Sequence, residues 1–508
     1  MKALFSALII LYALSGIQTL KILSVFSFCA YSHYTLGSKI SEELANRGHS
    51  VTFINCFPKG ERIKNLKEIS VDGCKPKVAE FVLKLEEFGK YSYLGQLDFV
   101  NKLGLVYTDE VFKIEEVKKL VNSNEKFDVI IMEHFLNDAM AVFQHVFDSP
   151  LIYLAPGPMT MLNNHLVGNI APPSFVPNLL TDYNTKMNFW QRLRNTYYHI
   201  VGELFVNFKL LPAHNKLMKK HFPDAPELST LASNGSLVLL STHVSMSDPV
   251  PLQQNIVPIG GYHVSPPKPL PGNIKRFLDE SKEGVVLFSM GSNLKSSNFK
   301  PETRRALLNA FSKIKQKVLW KFETDLPEKP DNVMIMDWLP QNDVMAHPNV
   351  VAFISHGGLL GCTEAVYHGV PILGLPVFWD QVKNIEDGVR NGFALKLNLN
   401  DLTEESFTKT LNEILNNPSY RINAKQRSRI MRDRPVKQMD EAIFWIEYVA
   451  RHKGALHLQS EAIHLRWYQI YYVDIILFIS AILASLITLL NIFKNLLFRS
   501  TANKIKTN

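Results

Sequence analysis

The sequence predicts two α/β domains, each a doubly wound parallel sheet, followed by one membrane-spanning helix. Three observations carry this reading. Lys21–Phe28 is an apolar strand pattern, Thr35–Arg47 has helical spacing (Leu36, Ile40, Leu44), Gly48 stops the helix and Ser50–Asn55 is a second strand, which together open a βαβ domain. The same unit returns late in the chain: Val350–Ile354 reads as a buried strand, Leu359–His368 as a helix closed by Gly369 and Pro371, and Val370–Leu375 as the next strand. Finally, Ile475–Phe493 runs for 19 residues without a charge, enough for one span. A length of 508 residues leaves room for two folded units of ordinary size.

Composition removes several classes of function. Hydrophobic residues make up 46% and charged residues 20%, a globular balance with no sizeable disordered region. The net charge of +8 is partly in the C-terminal tail, and no basic stripe interleaves with aromatics, so nucleic acid is not an expected partner. The four cysteines have spacings of neither a zinc site nor a disulfide framework. Cys29 and Cys362 fall in core or site elements and read as buried thiols, while a Cys56–Cys74 bridge is left open.

Targeting signals sit at both ends. Residues 1–19, with Lys2, an apolar run and small residues at Ser15-Gly16, have the pattern of a secretory signal peptide. The span, taken as 473–493, follows the aromatic belt of Trp467, Tyr468, Tyr471 and Tyr472. The basic tail 494–508, with Lys494, Arg499, Lys504 and Lys506, is expected in the cytosol. This arrangement is a single-pass type I membrane protein with its domains luminal. Lys504 and Lys506 resemble a dilysine retrieval signal, pointing to the endoplasmic reticulum membrane. Asn234-Gly235-Ser236 is the one N-glycosylation triplet.

In the first domain (20–245), Ser32-His33 lies in the loop after the first strand, where α/β sheets place functional residues. Residues 72–120 show only broken helical patterns. Phe127–Met132 is a buried strand ending at Glu133, and Asn137-Asp138 opens a helix over Ala139–Phe147. Pro150–Leu154 is a strand, Met159–Pro177 a long loop, and Ser236–Ser241 a closing strand. Phe189–Leu211 is amphipathic and aromatic. It can pack on the core or touch a membrane surface, and core packing is the preferred reading. Asp248–Pro271, with seven prolines, reads as linker (246–275). The second domain (276–455) has strands at Gly284–Ser289, Val318–Phe322 and Val333–Asp337, a turn at Met290-Gly291-Ser292, and helices at Pro301–Ile314, Leu402–Leu415 and Ala424–Arg432.

The polar residues of 355–381 cluster where strands end. The Gly357-Gly358 pair before a helix admits a ligand to the backbone, and the helix N-terminus suits phosphate. His356 can add a donor there, Glu364 can bind a ribose diol, and Asp380-Gln381 can bind sugar hydroxyls. The run from Trp338-Leu339-Pro340-Gln341 through His356-Gly357-Gly358, Glu364 and Asp380-Gln381 resembles the signature of the animal UDP-glycosyltransferases, and HGGLLGCTEA is similar to the insect members. The resemblance covers essentially the whole chain. It implies the GT-B fold, two Rossmann-like domains facing a cleft, and a helix near Ala442–Lys453 that crosses back onto the first domain.

It also implies roles. Trp338 would stack on uracil and Gln341 reach the nucleoside. Gly291, Ser292, His356 and Gly358 would meet the diphosphate, Glu364 the ribose, and Asp380 and Gln381 the sugar. His33 is the expected base, with a carboxylate to fix its tautomer. Glu133 and Asp138 both follow the right strand; the sequence leans to Asp138, with Glu133 close behind, and does not decide between them.

No Asp-x-Asp triplet occurs, so no metal and no cofactor is expected, and donors from the protein must meet the leaving diphosphate. Where glucuronate-using relatives have Asn after His-Gly-Gly-Ala and Arg in a Pro-Arg-Pro triplet, this chain has Leu360 and Pro249-Val250-Pro251. Without that cation a neutral sugar is favoured. The expected function is therefore inverting, metal-independent transfer from UDP-glucose to a small lipophilic hydroxyl compound, as in detoxification. UDP-glucuronate as donor, a non-catalytic ligand-binding member of the family, and a sugar-nucleotide epimerase are the alternatives. The partners expected are the UDP-sugar, the acceptor and the membrane, with room for a homo-oligomer.

Overall fold

The computed structural model describes residues 19–60, 62–82 and 85–505. The expected leader lies outside them, save its last residue, as does Lys506 of the tail.

The first domain starts with β1 (Lys21–Phe26), α1 (Tyr31–Asn46), β2 (Ser50–Asn55) and β3 (Leu66–Ser70). A 21-residue helix, α2 (Tyr93–Lys113), then occupies the stretch whose pattern could not be ordered. Ser92 caps it by accepting the Gly95 N–H at 3.2 Å. After it come β4 (Val129–Glu133), α3 (Val142–Phe147), β5 (Leu151–Ala155), α4 (Phe189–Phe205), α5 (Leu211–His221), β6 (Leu237–Leu240) and β7 (Ile256–Pro258). The strands form one parallel sheet in the order β3-β2-β1-β4-β5-β6-β7. Its central strands are buried on both faces, which is why they read as continuous apolar runs rather than alternating ones.

Three expectations change here. The presumed linker contributes β7 to the sheet, pairing Val238 with Ile256 and Leu240 with Pro258. An edge position tolerates the proline that would break a central strand. Cys56 pairs with Cys29, not Cys74, because β1 and β2 are neighbours and their ends bring the two Cα atoms to 5.2 Å. Cys74 and Cys362 are buried thiols. Helix α4 is only half a core helix. It buries Asn195, His199, Gly202 and Phe205, while Trp190, Leu193, Tyr197, Ile200 and Leu204 on the opposite face are exposed.

The second domain comprises β8 (Val285–Ser289), α6 (Pro301–Ser312), β9 (Lys317–Lys321), β10 (Val333–Met336), β11 (Val350–Ser355), α7 (Leu359–His368), β12 (Ile372–Gly374), α8 (Asp380–Arg390) and β13 (Ala394–Lys396). Helices α9 (Glu404–Asn416) and α10 (Pro418–Arg432) complete it. Its parallel sheet runs β10-β9-β8-β11-β12-β13. Helix α11 (Gln438–Arg451) then leaves this domain. Its Ala442, Ile443, Ile446 and Val449 join the buried cluster of Ile22, Phe26 and Val129 under the first sheet.

Both sheets reverse their strand order at one place, between β1 and β4 and between β8 and β11. The crevice at the carboxyl ends of such a pair is where a doubly wound sheet offers room for a ligand.

Residues 460–508 form a separate unit. In it α12 (Val473–Ile505) holds a 26-residue stretch, Val473–Phe498, long and apolar enough to cross a membrane.

Candidate active site

The two crevices open into one cleft of about 580 Å³, lined from the first domain by His33 and from the second by Ser292, Trp338, His356, Glu364 and Asp380. On the first domain's side, His33 stands in the first turn of α1. Its Nδ1 lies 2.7 Å from Glu133 Oε1, at the end of the neighbouring β4. Glu133 is buried, and the His33 ring is fixed against Phe28 and Phe135 at centroid distances of 4.8 and 4.6 Å. The other imidazole nitrogen, Nε2, is the one left to act on a substrate.

The leaning toward Asp138 is corrected. Its Oδ1 accepts from His134 Nε2 at 3.1 Å and His165 Nε2 at 3.2 Å, and it is fully buried away from His33. Burial pushes its carboxyl up, but the charge and hydrogen bonds of these histidines outweigh that and hold it well below the usual carboxylate range. Strand geometry explains the choice: successive residues point to opposite sides, so Glu133 faces His33 while His134 turns to Asp138.

The donor half is built on β8, β11 and α7. Gly291, at φ +82°, and Gly358 flank the His356 ring. A Cβ on either would stand 2.6 and 2.5 Å from it, so only glycine allows the ring to lie between them. Burial lowers the His356 imidazole to about 4, so near neutrality it is uncharged and can donate one N–H, and its Nδ1 has no partner within the protein. No side chain caps α7, whose first N–H groups follow Gly358 into the cleft.

Gln341 donates to Glu364 Oε2 at 2.6 Å. Burial nonetheless pushes the Glu364 carboxyl up to about 7. Trp338 is 49% exposed and meets Tyr31 of the first domain nearly perpendicularly at 4.9 Å between centroids. It lines the cleft. Asp380 begins α8, accepts from Asn384 at 2.7 Å, and lies within electrostatic reach of His33. Burial raises its carboxyl. Gln381 is more committed than its sequence position implies. Its Oε1 accepts the backbone N–H groups of Val377 and Phe378 at 2.9 and 3.2 Å, leaving only the amide NH₂ for a sugar.

Several cleft residues carried no sequence signal. Lys39 donates to Ser265 at 2.8 Å across the domains, and burial lowers its ammonium. Lys321 stands 6.0 Å from the Trp338 ring centre. Trp379, at φ +57°, holds a strained backbone just before α8 and meets Phe88 of the first domain. Only Tyr31, two residues before His33 in the first turn of α1, could have been found by position. The first-domain wall is apolar, with Phe28, Phe88, Phe99, Leu103 and Phe135.

The architecture has close counterparts among solved structures. The glycosyltransferase VinC, solved in complex with DTDP, superposes with a TM-score of 0.58 at 18% identity, covering 85% of this chain and 99% of that one. The spinosyn forosaminyltransferase SpnP gives 0.56 at 17%, covering 85% and 100%. With two parallel sheets meeting at a cleft, this defines the fold class as GT-B. The chain belongs to the family described as UDP-glucoronosyl and UDP-glucosyl transferase, whose model matches residues 21–507. Among curated relatives, UDP-glycosyltransferase UGT5 of Dactylopius coccus is 39% identical over 480 residues, 92% of this chain and 90% of its own. UDP-glucosyltransferase 2 of the same insect is 37% identical, covering 94% and 92%. UDP-glucuronosyltransferase 2B15 of Homo sapiens is 32% identical, covering 94% and 93%. The chain is a UDP-glycosyltransferase, and its C-terminal apolar helix marks it as membrane-anchored.

Proposed function

We propose that the enzyme transfers glucose from UDP-glucose, with inversion at the anomeric carbon, to the hydroxyl of a small lipophilic acceptor. The observation that carries this is the His33–Glu133 pair, which faces Asp380 across the cleft beside an apolar wall. His33 Nε2 takes the acceptor proton as the oxygen attacks the anomeric carbon, and Glu133 stabilises the imidazolium that forms. The UDP leaves from the opposite face toward the open N–H groups of α7, Ser292 and the neutral His356, which donate to its developing charge. No metal is needed for that step. Trp338 stacks on the uracil, and Gln341 and Glu364 hold the ribose. Asp380 and the Gln381 amide hold sugar hydroxyls.

The neutral sugar rests on Val250 and Leu360, which offer no cation or amide to a carboxylate. Leu360 lines the cleft and packs beside buried residues of the first domain. The likeness to an insect UDP-glucosyltransferase favours the same donor, and the likeness to a human UDP-glucuronosyltransferase favours the other. Released UDP, measured with a phenol acceptor and each donor in turn, tests the reading. Glucose transfer should exceed glucuronate transfer in kcat/KM, and the reverse order overturns it. A signal peptide, a luminal catalytic body in the endoplasmic reticulum, glycosylation at Asn234 and a role in detoxification complete the proposal. Glycosidase treatment of the expressed chain checks its luminal side.

A further inference from the structure

Beside the His33–Glu133 pair lies a second polar cluster. His134 follows β4, Asp138 opens the turn before α3, and His165 stands in the short turn Asn164–Leu166 of the long loop. His134 Nε2, His165 Nε2 and an Asp138 oxygen all lie within 4.8 Å of one another. The two contacts to Asp138, at 3.1 and 3.2 Å, come close to the spacing of about 3.4 Å between ligand atoms around a tetrahedral zinc. His214 of α5 is fully buried nearby but stands outside the group whose ligand atoms converge. Neither of its ring nitrogens has a hydrogen-bond partner, and Asp138 Oδ2 and His165 Nδ1 are equally unpartnered. Leaving one buried polar group unmatched costs about 1–3 kcal/mol. The unpartnered Asp138 Oδ2, fully buried beside the two Nε2 atoms, is what a missing ligand leaves.

We propose that His134, Asp138 and His165 bind one zinc ion as a structural site, with the fourth position left to water. Two imidazoles and one carboxylate suit zinc, whereas calcium and magnesium require all-oxygen cages. The ion joins two segments remote in sequence, the end of β4 with the turn that follows it and the long loop. The same loop supplies Thr160, Leu162 and Asn163 to the cleft, and His134 adjoins Glu133. The ion therefore braces the acceptor wall and the carboxylate behind His33. It is separate from the diphosphate and takes no part in bond making.

The test uses the full-length chain in detergent, purified without a histidine tag, stripped with chelator and dialysed against zinc. Atomic emission should find about one zinc per chain, and cobalt in its place should show the visible absorption of a tetrahedral site. His165→Gln, the replacement at the least buried ligand, should weaken zinc at least tenfold and abolish the rise in Tm that zinc gives the wild type. A wild-type chain that retains no zinc and shows no cobalt bands overturns the proposal, leaving a hydrogen-bonded network only. Unchanged zinc affinity in His165→Gln overturns it as well.

Discussion

Replacing Glu133 with glutamine keeps the shape of its contact with His33 and removes the charge that stabilises the imidazolium. We expect kcat to fall roughly a hundred- to ten-thousandfold, with UDP affinity by calorimetry unchanged, and His33→Ala to do the same. Asp138→Asn should act differently: it leaves buried histidines without their charged partner, so it should lower Tm while kcat per folded molecule stays within about tenfold. The sequence could not separate these carboxylates because both follow one strand; only the side on which each residue leaves the strand decides. Glu364 yields a pH prediction. Its native carboxyl titrates at about 7 against 4.5 for the unfolded chain, so between these values the native state holds a proton the unfolded state has lost. Its contribution to stability is present below 4.5 and fades as pH rises through 7. Glu364→Gln should flatten the dependence of Tm on pH over that window.

At the scale of elements, the second domain's side of the cleft was legible and the first domain's side was not. The strand–turn–helix of β11 and α7 announces itself through Gly357, Gly358, Gly369 and Pro371, residues whose backbone chemistry is local. Helix α2 hid because its buried face includes Asn101, Gly104 and Thr108, which blur the apolar period. Gly104 is there for contact: a Cβ would meet the Leu136 carbonyl oxygen at 2.1 Å. The β7 strand hid among prolines. The cage around His356 gives the prediction at this scale. Gly358→Ala places a methyl against the ring, so KM for the UDP-sugar should rise at least tenfold with the fold intact by circular dichroism.

For the whole molecule, the sheets and their facing cleft were expected, whereas the Cys29–Cys56 bridge was not, since pairing depends on which strands become neighbours. The returning helix α11 was anticipated by resemblance alone. Its Ile443 and Ile446 are fully buried in the first domain's cluster, so Ile446→Ala should cost about 2–5 kcal/mol, read as a lower midpoint in denaturant. The return of α11 also has a mechanical meaning. The second domain is joined to the first by two passages of chain, one at Gly260-Gly261 and one just before Gln438. They run side by side: a Cβ on Gly261 would lie 3.6 Å from the Gln438 amide, and Arg434 donates to the Pro258 carbonyl at 3.3 Å. A body hung on one thread swivels about any axis; hung on two, it turns about the line through them. Two passages held side by side thus leave the second domain one preferred axis against the first, the line through them.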